Sequence, residues 1–156
     1  MRDQSSDPDL HVLARALADV LPEDSEGEPQ YLSRSALDIC IAGHWQADQL
    51  FDAAVECAHS YWDGKASEEE REAVRTEVVR HAESLRKEVG RSPEWCRYAL
   101  AMWSLDIRTP SNGYGADYLL EFALEAGVPL ASIRQALETH VPGLPAAIRR
   151  LTPSAP

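Results

Sequence analysis

Apolar residues along this chain recur three and four positions apart, and no segment of useful length alternates apolar and polar as a half-buried strand does. The first run, Leu10, Leu13, Ala14, Leu17 and Val20, follows Asp7-Pro8, a capping residue with proline at the first helical position. Pro22 stops it, and the stretch from Pro22 to Gln30 reads as a flexible acidic loop, with four acids, a glycine and two prolines. A second helix is predicted from about Leu32 to Ala42, with Leu37, Cys40 and Ile41 inward, ended by Gly43. The third, about Gln46 to Trp62, is apolar on two adjoining stripes, Leu50, Ala54, Cys57 and Tyr61 beside Phe51, Val55, Ala58 and Trp62, which makes it the expected central helix.

Gly64 is a natural stop, and Ser67 with Glu70 forms a capping box opening a long amphipathic helix from about Glu68 to Val89. Its inner stripe is Val74, Val78, Ala82, Leu85 and Val89. Gly90 ends it, and Ser92-Pro93 starts the next, rich in bulky residues as far as Leu105. Thr109 to Gly115, with Pro110, Asn112, Gly113 and Gly115, reads as a loop. Two short helices, about Ala116 to Ala126 and Pro129 to His140, precede a last turn near Ala146 to Leu151 and a frayed tail from about residue 152 to 156. The fold class is therefore all-α, a single domain over residues 1–156 built as a compact bundle of six or seven helices.

A length of 156 residues with 44% hydrophobic content and four tryptophans is enough to bury a real core. No run approaches the roughly 18 to 20 apolar residues of a transmembrane helix, and Met1 to Asp9 is polar where a signal peptide is basic and then apolar, so a cytoplasmic chain is expected. Cys40, Cys57 and Cys96 are odd in number, far apart and set in apolar helical patterns, as small core residues of a reducing compartment would be.

Charge changes the picture most. Residues 1–63 hold 13 acids against Arg2, Arg15 and Arg34, a net of −10, whereas residues 64–156 hold 13 acids against 12 bases, a net of −1. On the third helix Asp48, Asp52, Glu56 and Asp63 share a stripe with His59. Like charges four apart destabilise a helix by about a few tenths of a kcal/mol per pair. A conflict of this kind marks candidate functional positions, although a charge run also serves simply as a solvated face. A binding role implies a basic protein partner and salt-sensitive association, and disfavours phosphate backbones and anionic membranes. The loop acids Glu23, Asp24, Glu26 and Glu28 extend the surface, and Trp45 at the helix start is the candidate aromatic anchor.

The stretch Asp52-Ala53-Ala54, Cys57 and Tyr61-Trp62-Asp63-Gly64-Lys65-Ala66-Ser67, with Glu68 to Arg71, resembles small helical immunity proteins of bacterial polymorphic toxin systems. Their pattern also ends a helix in an aromatic-x-Gly-Lys turn before a charged helix. The resemblance covers about a third of the chain, and Trp95 to Leu105 is aromatic where that family carries an alanine-dense, histidine-bearing helix. It implies a cytoplasmic, non-enzymatic inhibitor of a toxin, and the acidic face suits a basic toxin such as a nuclease.

A second reading comes from the C-terminal half. Ala123, Gly127-Val128 and Ile133 match helix-turn-helix spacing, and the phrase from Leu124 to Arg134 resembles helical DNA-binding regulators. Ser132, Arg134 and Gln135 would then reach bases from a major-groove helix. Against this, Arg134 is the one firm cation of that helix, and the preceding one carries Asp117, Glu121 and Glu125.

Catalytic patterns are sparse. Glu56-x-x-His59 has the spacing of half a carboxylate di-iron site, but no second motif accompanies it, and Cys40 and His44 lack a completing pair, so no metal is assigned. His81, among Glu77, Arg80 and Glu83, reads as an ion-pairing surface residue. Tyr114 in its glycine-flanked segment is a candidate ligand contact. There is no phosphate loop or nucleophile elbow, and the expectation is a protein without cofactor or enzymatic activity. Nothing in the sequence sets the oligomeric state.

Overall fold

The computed structural model describes residues 7–23, 27–45 and 48–152. Among them are eight helices, α1 (Pro8–Val20), α2 (Gln30–Ala42), α3 (Gln49–Trp62), α4 (Glu68–Val89), α5 (Pro93–Ser104), α6 (Gly113–Glu125), α7 (Leu130–His140) and α8 (Leu144–Leu151), and no strand. The count exceeds the expected six or seven because the last turn is an eight-residue helix opened by Pro145 and closed on Ala147 and Ile148 in the core. The tail expected to fray lies outside the described residues from 153 onward.

Side-chain caps fix most of the helix starts. Asp7 accepts from Asp9 N, Asp48 from Phe51 N, Ser67 from Glu70 N and Ser92 from Trp95 N, each satisfying a backbone donor that has no intrahelical partner. Asn112 does the same for Gly115 N at 2.9 Å, which corrects the expected loop: Gly113, Tyr114 and Gly115 are the first turn of α6. Gly113 is needed there because a Cβ would lie 2.7 Å from the Leu21 carbonyl oxygen. That contact seats α6 against the end of α1.

The centre of the molecule is α5, not α3. Seven residues of α5 are buried, from Trp95 to Ser104, and seven of α2, whereas α3 buries only Phe51, Ala54 and Ala58. α5 packs on α2, α3, α4 and α6, while α1 pairs with α8 and α2 with α7. Leu50, Val55, Cys57, Tyr61 and Trp62, drawn from both apolar stripes of α3, are only half-buried, so that helix lies on the flank of the bundle. Fully buried Leu13, Ile39, Leu100, Leu119 and Leu137 anchor the shared core. Each contributes about 1.5–3 kcal/mol relative to exposure.

Two polar side chains lock the layers. Arg71, only 3% exposed on α4, donates from Nη1 to the Leu105 carbonyl at 2.6 Å and lies over the Tyr61 ring. It places positive charge at the C-terminal end of α5, where unpaired carbonyls gather. Ser111 is fully buried; its hydroxyl donates to the Glu28 carbonyl and accepts from Leu32 N, capping α2, whose own N-cap residue Pro29 has no side-chain hydrogen bond. The Ser111 amide also donates to the Gly27 carbonyl, and Gly113 N to Pro22 O. The acidic loop is thus fastened at both ends; Asp24, Ser25 and Glu26 lie outside the described residues.

Candidate binding face

α3 begins with its cap. Asp48 turns one carboxylate oxygen onto Phe51 N at 2.8 Å and accepts the Tyr98 hydroxyl of α5 on the other. Partial burial acts to raise the Asp48 pKa, but the hydrogen bonds from Tyr98 and Phe51 and the nearby His81 outweigh it and hold the carboxyl below its ordinary value. The same contacts push the Tyr98 phenol well up, through burial first and then Asp48, with Glu94 and Asp52 adding to it. Asp48 therefore stabilises the start of α3, and the conflict expected between Asp48 and Asp52 does not arise. Asp52 lies in the first turn, where negative charge is favoured. Glu56 follows one turn later, leaving Asp52–Glu56 as the like-charged i,i+4 pair within the helix.

His81 corrects the surface reading given to it. Its ring is half-buried against Tyr98, with centroids 4.5 Å apart, and its Nε2 is buried. At the other end of the stripe, Asp63 pairs with His59 at 3.4 Å on the surface. Asp52 and Glu56 are both exposed, and neither makes an ion pair or hydrogen bond among the described residues.

These two acids form one wall of a groove of about 440 Å³ between α2 and α3, floored by Cys40, Phe51 and Val55. The opposite wall is Ile41, an isoleucine 46% exposed at the end of α2. Across Ile41 lies a second groove of about 260 Å³ between α2 and α7, lined by Asp38, His44, Ser132 and Gln135. Asp52 and Glu56 on one side and Ser132 and Gln135 on the other thus flank exposed Ile41. Asp38 is hydrogen-bonded to His140 Nε2 at 2.7 Å, which pins α7 to α2.

Trp45 is not a projecting anchor. It is half-buried, edge-on to Phe51 at 5.5 Å, with the Arg97 guanidinium over its face at 5.2 Å. Gly43 makes room for it, since a Cβ there would lie 2.6 Å from the indole ring. His44, rather than that glycine, takes the left-handed backbone that turns the chain (φ 47°).

On α7, Arg134 is held by Glu138 at 3.1 Å, and the neighbouring groove adds Asp7 and Asp9. No protein family, curated protein or solved structure matches the chain. The chemistry must be read from the residues themselves. Among the described residues no three His, Cys, Asp or Glu side chains come together as a metal site would require. Burial raises all three thiols: Cys40 far up, Cys96 to about 11 with help from Glu125, and Cys57 less. None is thereby activated as a nucleophile. No helix among the described residues is long and apolar enough to cross a membrane.

Ile41, expected inward, stands exposed instead, and Asp38 was not singled out as a member of this surface. Their helix was recognised, but nothing local says which apolar residue of α2 the packing leaves outside.

Proposed function

We propose that this chain is a non-enzymatic acidic binding protein that docks a basic protein on the α2–α3 groove, in the manner of an immunity protein neutralising a basic toxin. The observation that carries the reading is the pair Asp52 and Glu56, exposed, without partners of their own and set one turn apart beside exposed Ile41. An apolar centre rimmed by charge of one sign is the arrangement in which burial supplies affinity and electrostatics supplies association rate and selectivity. Ile41, with Val55 beside it, takes the anchoring role that Trp45 does not. Asp48, itself exposed, supports the face by fixing where α3 starts.

The experiment is capture of partners from the native host by the tagged full chain at low and high salt, repeated with the variant carrying Asp52→Lys and Glu56→Lys. A basic protein that is released by high salt and lost by the variant, with the helical circular dichroism unchanged, supports the reading. Capture that is indifferent to both refutes it. The DNA-binding alternative through Ser132, Arg134 and Gln135 has less support, because Glu138 neutralises the arginine and Asp7 and Asp9 stand beside it. Retardation of duplex DNA that disappears with Arg134→Ala and Gln135→Ala would favour it instead.

A further inference from the structure

A different surface, on α6, repeats one pattern three times. Aromatic residues stand four apart at Tyr114, Tyr118 and Phe122, and each is followed three residues later by an acid: Asp117, Glu121 and Glu125. These spacings place all six on one side of the helix. At the last repeat the chain shows what the pattern holds. The Arg91 guanidinium lies over the Phe122 ring at 4.9 Å, donates from Nε and Nη2 to both carboxylate oxygens of Glu125 at 3.0 and 2.9 Å, and reaches Glu121 at 2.8 Å. A planar cation is stacked on a ring and fixed by the acids on either side, the geometry that suits arginine rather than lysine.

The first two repeats face solvent: Tyr118 stands between Asp117 and Glu121, the latter shared with Arg91, and Tyr114 follows Gly113 and has Asp117 after it. Tyr114 is 58% exposed and Tyr118 53%, and the Tyr118 ring continues the stack at 5.9 Å from Phe122. Glu23, beside the Tyr114 hydroxyl, raises the pKa of that phenol and adds a further acid. No arginine or lysine of the described residues lies over either tyrosine or pairs with Asp117. In keeping with this, partial burial and the charges of Glu23 and Glu121 hold the Asp117 carboxyl above its ordinary value.

We infer that the Tyr114, Asp117, Tyr118 and Glu121 strip of α6 is a docking site for a protein segment that presents arginines about one helical turn apart, each taken up as Arg91 is taken up by Phe122, Glu121 and Glu125. Four residues of helix separate the two rungs by about 6 Å, so an occupant helix bearing arginines at i and i+4 matches them. The strip does not rest on the α3 reading and is tested separately from it.

The test is titration of the isotopically labelled full chain, followed by two-dimensional NMR, with an alanine-based helical peptide carrying two arginines four residues apart. Its twin, with both arginines replaced by neutral citrulline, is the control. The inference expects amide shifts concentrated at residues 114–121, salt-sensitive binding that the citrulline peptide lacks, and affinity about 5-fold weaker for Tyr118→Ala or Asp117→Asn. The variant with Asp52→Lys and Glu56→Lys should bind the peptide as the wild type does. Shifts confined to α3, equal binding of the citrulline peptide, or indifference to Tyr118→Ala would each overturn it. Because Tyr118 and Asp117 are exposed, loss of the fold does not confuse the result.

Discussion

Replacing Asp48 by alanine removes two things at once, and the structure allows each to be sized. The cap on Phe51 N is worth about 1 kcal/mol. The Tyr98 hydroxyl, on a side chain 3% exposed, would lose its acceptor, at a cost of about 1–3 kcal/mol. Asp48→Ala should therefore lower the unfolding free energy by about 2–4 kcal/mol in urea titrations at pH 7 followed by far-ultraviolet circular dichroism. Asp48→Asn keeps one oxygen for the cap and turns its amide N–H toward the phenol, which must then accept rather than donate, so it should lose less than the alanine. Tyr98→Phe removes one hydrogen bond without stranding a donor, at about 1 kcal/mol, and in that background Asp48→Ala should cost little more than the cap. The pH dependence has a defined sign. The folded Asp48 pKa lies below its unfolded value of about 3.9, so its charged form contributes stability above that pH and the contribution fades as pH falls through the folded pKa. The gap between wild type and Asp48→Asn should accordingly shrink at pH 3. Strict additivity of Asp48→Ala and Tyr98→Phe would refute the shared role of this carboxylate.

Other expectations follow from single contacts. Arg71→Ala should cost about 2–3 kcal/mol in the same urea titration, because it strands the Leu105 carbonyl and opens space under Tyr61. Gly43→Ala should displace Trp45, seen as a red shift of tryptophan emission and a loss of about 1–3 kcal/mol, and should cost much less in a Trp45→Ala background. Thiol titration with a disulfide reagent at pH 8 should modify half-exposed Cys57 first and leave buried Cys40 and Cys96 unreacted until the protein unfolds; early modification of Cys96 would contradict its thiol pKa of about 11.

Helix type and most boundaries were legible because the caps are local. Asp7, Ser67 and Ser92 each stand immediately before a helical pattern and act where they are read. Asn112 acts in the same way, but the two glycines after it have the look of a loop, and only their approach to Leu21 and Leu32 explains them. His81 was misplaced although its spacing from Val78 and Leu85 puts it beside the inner stripe; its polar neighbours Arg80 and Glu83 outweighed the period. Arg71 extends that stripe one turn earlier and was hidden by its charge. The acids Asp52 and Glu56 were found because exposure of charge is nearly a local property. Ile41 was not, because α2 is apolar around most of its circumference and only the positions of α3 and α7 decide which residue stays outside. The choice of α5 over α3 as the central helix is likewise a fact of assembly.

The hydroxyl of Ser111 binds groups 79 and 83 residues before it in sequence. Contacts between such distant parts of a chain require closing a long loop before they return any stability. The start of α2 and the loop before it therefore depend, for their backbone hydrogen bonds, on a residue made long after them on the ribosome. A nascent chain ending before Ser111 has no means of finishing its own first third, and the acidic segment becomes fastened only when the second half arrives. Folding of the charged half is in this sense timed by the other, and a shortened chain containing α1 to α3 alone should be unstructured at the α1–α2 junction.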